Sequence, residues 1–163
     1  MRIFITAAAL AAGLDQLVKF MIKSHMKLYD LFWVIRDFFK ITYIENTGVA
    51  FGMLGGMPQP AVRWILVAVI SMASIGIAAY WALNRKQSLI YNLSCGLILG
   101  GAIGNLIDRI RTGRITDFLE FGYKNITFPV FNVADSAVTV GVALFIIFVL
   151  NEGKKENNAS GTV

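Results

Sequence analysis

Gly100 to Ser136 reads GGAIGNLIDRIRTGRITDFLEFGYKNITFPVFNVADS. The stretch begins inside one apolar run and ends at the first turn of another. Between the two lie Asp108, Asp117 and Asp135, with Arg109 and the amides Asn105 and Asn132. Carboxylates and amides gathered at the mouths of hydrophobic segments are costly to hold there, so they are candidates for function. The reading of this stretch therefore decides both the fold and the site.

Working outward, the composition is that of a membrane chain. Of 163 residues, 56% are hydrophobic and 15% charged, and the mean hydropathy is +0.64. Soluble domains are nearer half apolar and a quarter charged. The length suits one domain, 1–163. The net charge of +5 would suggest nucleic acid in a soluble protein. Here the bases flank apolar runs, where they favour anionic headgroups, so the partners expected are membrane lipids and not nucleic acid. The single cysteine, Cys95, lies inside an apolar run, and the single histidine, His25, has no partner of its kind. That excludes a disulfide framework and a histidine or cysteine metal centre.

Four runs are long enough to span a bilayer, which takes ~20 residues each: about 3–22, 62–83, 89–107 and 133–150. The loops 24–61 and 108–131 must then lie on one side. The opening of the first run also has the look of a signal peptide, but its hydrophobic pattern continues through Leu17, Val18 and Phe20, past any cleavage point. Asp15 and Lys19 interrupt it four apart, on one helical face. They suit a local ion pair with Lys19 snorkelling to the interface, or a brace for an active site.

In the first loop, Trp33, Phe38 and Phe39 alternate with charges, as in a segment lying at the membrane interface. Phe39, Ile41 and Tyr43 alternate with polar residues and predict a strand. Glu45 to Gly48 predicts a turn, with a return strand over Val49 to Phe51. The third run carries Gly96, Gly100 and Gly104 at four-residue spacing, which favours close helix packing in lipid. Asn105, Asp108 and Arg109 share a face at its end. Short strands are expected at Ile115–Leu119 and Ile126–Phe128. Asn132 and Asp135 resemble a capping box at the start of the last run. The polar tail 151–163 is expected to be disordered. The basic residues near the termini and the short turn are fewer but denser than those of the loops, so charge alone leaves the orientation open.

For chemistry, the chain has no GxSxG elbow, no HExxH and no phosphate-binding loop. Its serines lack a histidine base. Paired carboxylates remain. Two aspartates sharing a site do not both ionise readily, so one activates water while the other donates a proton. Low dielectric at the lipid boundary widens that difference. Asp117 with Asp135 ranks only slightly above the other pairings, since Asp135 also suits a helix cap, Asp117 a solvated loop, and Asp108 a partner for Arg109. A non-enzymatic transporter or lipid-binding subunit would use the same polar residues as helix glue or a permeation path.

Five motifs in order resemble the lipoprotein signal peptidase family, the type II signal peptidases: Asp15-Gln16-Leu17-Val18-Lys19; Glu45 to Phe51; Gly100 to Arg109; Thr116-Asp117-Phe118; and Phe131 to Ser136. The resemblance spans nearly the whole chain. It implies a mainly α membrane fold, four transmembrane helices with a small extracytoplasmic β platform and an interfacial segment. It implies an intramembrane aspartic endopeptidase of the bacterial inner membrane, with both termini cytoplasmic. The enzyme would remove signal peptides from diacylglyceryl-modified prolipoproteins, cutting before the lipidated cysteine. Asp117 and Asp135 would be the catalytic dyad. Asn46, Gly101, Asn105, Arg109 and Asn132 would contact substrate or peptide antibiotics of the globomycin type, and Asp15, Lys19 and Asp108 would support the site. Neither metal nor organic cofactor is implied, and a monomer suffices.

Overall fold

The computed structural model describes residues 1–48, 58–85, 88–123 and 126–160. The elements in chain order are α1 (Arg2–His25), β1 (Leu31–Ile35), β2 (Phe39–Asn46), α2 (Gln59–Leu83), α3 (Leu89–Thr112), β3 (Ile115–Tyr123), β4 (Ile126–Thr127) and α4 (Val133–Ser160). All four helices are long and apolar enough to cross a membrane. The architecture is thus mainly α, with one small sheet, as the sequence leads one to expect. The return strand over Val49–Phe51 lies outside the described residues.

The helices begin and stop for local reasons. Pro60 stands in the first turn of α2, where its missing N–H costs nothing. Ser88 caps α3 by accepting from the Tyr91 N–H at 3.3 Å. Gly113 ends α3 in the left-handed conformation, φ 77°, which a residue with a Cβ adopts only under strain. The last helix runs to Ser160, beyond Leu150 where the sequence suggested a disordered tail. Glu152, Lys154, Lys155 and Glu156 are good helix formers and carry the helix on from its apolar part.

Helix α3 is the spindle of the bundle. It packs against α1, α2 and α4, whereas α2 leans mainly on α3 and buries only Val62 and Ser74 among the described residues. The glycines of α3 serve different neighbours. A Cβ on Gly96 would meet the Phe4 carbonyl and Ala7, and one on Gly100 the Ala8 carbonyl and Ala11, both on α1. A Cβ on Gly101 would run into the Ala134 carbonyl and Val138 of α4. Backbone approach this close is how helices associate in lipid, where little hydrophobic drive exists between them. Gly101→Ala should cost about 1–3 kcal/mol, because backbone has to move. Gly13→Ala and Gly76→Ala, with nothing within 4 Å of the added carbon, should leave stability unchanged or slightly raised. Thermal unfolding of the three variants in one detergent checks the contrast.

Away from the sheet, Phe4, Tyr91, Cys95 and Phe148 form an apolar cluster, with Trp81 stacked on Phe4 at 3.8 Å between centroids. Many large apolar side chains on the outer faces are exposed, among them Leu10, Leu17, Phe20, Met72 and Ile75. Such broad apolar exposure marks a surface that another medium covers, and for spanning helices that medium is lipid.

The sheet is antiparallel in the order β1-β2-β3-β4. It sits at the end of α3 where Gly113 turns the chain into β3. Strand β1, Leu-Phe-Trp-Val-Ile, is exposed at every residue, consistent with the interfacial character read from Trp33. Central pairing sets Ile44 opposite Asp117 and Asn46 opposite Ile115. Phe131 bridges to Leu119, which brings the chain back across β3 just before α4 begins.

Candidate active site

Three elements converge at the junction of sheet and bundle: the end of α3, the start of α4, and the paired strands β2 and β3. Asp117 on β3 is 3% exposed and Asn132 before α4 is fully buried. Asn132 and Asp135 cap α4 reciprocally. The Asp135 N–H donates to Asn132 Oδ1 at 2.9 Å, and the Asn132 N–H donates to Asp135 Oδ2 at 3.2 Å. That is the capping-box geometry, here with Asn and Asp in the two places.

Amide orientations at the site follow from their partners. Asn132 Oδ1 receives a backbone N–H, so its Nδ2 must face the other way, donating to Asp117 Oδ1 at 2.7 Å and to Asn105 Oδ1 at 3.2 Å. Asn46 Oδ1 receives the Gly48 N–H at 2.7 Å, so its Nδ2 donates to Asp117 Oδ2 at 2.9 Å. Asn105 Oδ1 receives Lys19 Nζ at 3.0 Å, so its Nδ2 donates to Asp135 Oδ1 at 2.8 Å. Each asparagine is held by an obligatory donor and aims its own N–H at an aspartate. Each of the four carboxylate oxygens thus accepts one hydrogen bond and keeps a lone pair for chemistry.

Beneath this layer lies a buried ion network. Lys19 Nζ meets Asp15 Oδ2 at 2.8 Å and Asp108 Oδ2 at 3.1 Å. The lysine is 2% exposed, so it is enclosed and does not snorkel as one alternative had it. Asp15 Oδ1 accepts the Ala134 N–H at 2.9 Å, and Asp108 Oδ2 accepts the Thr116 N–H at 3.0 Å. The network thereby ties α1 to the residues next to both Asp135 and Asp117. Gln16, to which the sequence assigned no role, bridges Asp15, the Gly104 carbonyl and Asp108. The available signal was a second polar side chain beside Asp15 in an apolar run.

Arg109 is 2% exposed. Its Nη1 donates to the Gly113 carbonyl at 2.8 Å, while Nε is buried with no partner among the described residues. A Cβ on Gly48, which has φ +79°, would overlap Arg109 Nη2, so glycine is needed there on two counts. An orphaned buried N–H costs about 1–3 kcal/mol. Gly101 differs from the other site candidates in offering no polar group; it sets how closely the first turn of α4 approaches α3.

Burial raises the Asp117 carboxyl to about 6, opposed by the Asn46 hydrogen bond and reinforced by the charge of Asp135. Asp117 and Asp135 are therefore close enough to feel one another's charge. With its folded value above the ordinary 3.8, Asp117 stabilises the fold fully below about pH 4. That contribution, of order 3 kcal/mol, is lost as pH rises through about 6. The wild-type unfolding temperature should fall across this window relative to an Asp117→Asn variant, in which this component is missing. Parallel profiles for the two proteins would contradict the assignment. Among the described residues, no group of three or more His, Cys, Asp or Glu is arranged to hold a metal ion.

Residues 7–151 match the family model described as signal peptidase II. The chain is 43% identical over 151 residues to the lipoprotein signal peptidase of Symbiobacterium thermophilum, covering 92% of this chain and 96% of that one. It is 36% identical over 156 residues to that of Syntrophus aciditrophicus, covering 95% and 96%. Among solved structures, a bacterial membrane enzyme determined by the in meso method at 2.3 Å superposes with TM-score 0.81 at 33% identity, covering 93% of this chain and 90% of that one.

Proposed function

Since the chain belongs to the signal peptidase II family, we propose that Asp117 and Asp135 are the catalytic dyad of an aspartic endopeptidase acting on lipid-modified prolipoproteins. The observation that carries this reading is the set of three oriented asparagine amides directed at two aspartates from separate elements. Structural aspartates need one such partner to be satisfied; a shell that fixes both carboxylates from several sides preorganises them.

The dyad holds one proton between its two carboxyls. The ionised member takes a proton from water as the water oxygen attacks the scissile carbonyl carbon. The protonated member donates to the carbonyl oxygen as the tetrahedral intermediate forms. On collapse the C–N bond breaks as one carboxyl gives its proton to the amine nitrogen and the other carboxylate takes a hydroxyl proton back from the diol, restoring the dyad. Arg109 stands beside the dyad to hold a main-chain carbonyl of the extended substrate, and Asn46, Asn105 and Asn132 hold the aspartates in register. Gly101 lets α4 approach, and Asp15, Lys19 and Asp108 brace the assembly from below.

Because the carboxylates sit where the bundle meets the sheet, a substrate anchored by acyl chains in the bilayer reaches them from the lipid. This supports cleavage just before a diacylglyceryl-modified cysteine. We place the enzyme in the bacterial inner membrane, with the sheet and the dyad on the extracytoplasmic side and both termini in the cytoplasm. It is a single domain over 1–163 that works as a monomer, and cyclic peptide antibiotics of the globomycin type would occupy the same site. Purified protein in nanodiscs, given the same prolipoprotein with and without diacylglyceryl, should cut only the lipidated form, leaving the modified cysteine as the new N-terminus. Equal cleavage of both forms would reject the lipid requirement.

A further inference from the structure

A second polar feature lies at the same end of the bundle, outside the aspartate layer. Between the first turns of α2 and the end of α3 is a cavity of about 230 Å³, lined by Gln59, Pro60, Arg63, Trp64, Thr112, Gly113 and Arg114. Among the described residues, no carboxylate lines it. We propose that this cleft binds the phosphodiester of an anionic phospholipid.

The arginines are arranged for it. Arg63 Nε donates to the Arg109 carbonyl at 3.0 Å, and its Nη2 donates to the Ile110 carbonyl. These bonds hold the guanidinium at the cleft. Arg114 Nη1 pairs with Glu45 Oε2 at 2.8 Å, which fixes the second guanidinium in the same way. Among the described residues, the remaining N–H groups of both have no protein partner. Two such forks suit the two unesterified oxygens of a phosphodiester.

The surroundings point to a lipid as the source of that phosphate. Trp64 is exposed, and the Arg63 guanidinium lies over its ring at 5.2 Å; tryptophan in this setting marks headgroup depth. Below it, Ile65, Val69 and Met72 present an exposed apolar flank of α2 to acyl chains. The cavity is smaller than sites for whole drug-sized ligands, as expected if only the headgroup enters. Glu45 is already paired with Arg114, and the Trp64 face is taken by the Arg63 guanidinium, which leaves the ammonium of a zwitterionic headgroup facing two like charges. Occupancy would also steady Arg63, and with it the turn that holds Arg109.

The test needs no catalysis. The full chain is reconstituted in bilayers mixing phosphatidylglycerol and phosphatidylcholine, extracted mildly, and its retained lipids are read by native mass spectrometry. The wild type should retain phosphatidylglycerol over phosphatidylcholine by roughly tenfold, because both lipids offer the phosphodiester but only the second brings an ammonium that the two guanidiniums repel. Arg114→Gln should bring that ratio near unity. Arg36→Gln, which removes the same charge from the exposed β1–β2 turn, should leave it intact. An undiminished ratio in Arg114→Gln, or an equal loss in Arg36→Gln, would overturn the site. Displacement of the retained lipid by inorganic phosphate would overturn its assignment to a lipid in favour of a free anion.

Discussion

Asp135→Asn should abolish cleavage while leaving a folded protein, and Asp117→Asn should do the same. The expected loss is roughly 10³–10⁴-fold in kcat, the scale of removing an acid or base from a proton-transfer pair. The replacement preserves shape but turns one acceptor oxygen into an NH₂. At Asp135 that group would face either Asn105 Nδ2 or the Asn132 N–H. At Asp117 it would face Asn46 or Asn132. A donor turned on a donor costs about 1–3 kcal/mol, a disturbance far too small to account for the loss of activity. Gel-shift assays of lipidated prolipoprotein, run beside thermal unfolding of each variant, separate the two effects. Near-normal turnover by either folded variant would remove that residue from the dyad.

Lys19→Met should be the most destabilising single change in the buried network. It leaves Asp15 and Asp108 facing each other without their common cation. Removing one partner from a buried ion cluster costs about 3–5 kcal/mol, or on the order of 10 °C in unfolding temperature for a chain of this size. Arginine at the same position would not rescue it, because its planar fork does not fit three oxygens arranged around one ammonium. The variant in which Lys19→Met is combined with Asp15→Asn and Asp108→Asn should recover part of the loss. Intrinsic tryptophan fluorescence during heating in detergent gives the reading. A shift under about 1 kcal/mol would mean that the ions are screened or hydrated, against the burial described.

The four long helices were legible because each apolar run is bounded by turn residues or charges. The end of α4 was not, since helix propensity past Leu150 carries the chain on after hydrophobicity stops. The reciprocal cap of Asn132 and Asp135 could be read from a spacing of three, and the Asp15–Lys19 pair from a spacing of four, because both are local. The link from Lys19 to Asn105 and Asp108 depends on how α1 lies against α3, and no local pattern encodes that. The same holds for Gly101. Gly96, Gly100 and Gly104 stood out by their regular spacing, yet Gly101 faces a different helix and belongs to no such series. Asp117 was the hardest case: a lone aspartate on a strand looks solvated until Asn46 and Asn132 are seen to close over it.

The ion pair inside α1 also bears on how the chain is made. Lys19 and Asp15 are four residues apart, whereas Asn105 follows Lys19 by 86 residues. When α1 reaches the bilayer, its most distant partners have not been synthesised. A lone lysine or aspartate at that point would resist transfer into hydrocarbon. Joined one turn apart, they enter as an internally neutralised unit. The same four-residue spacing that later holds the buried network together thus also suits the first segment to insertion on its own.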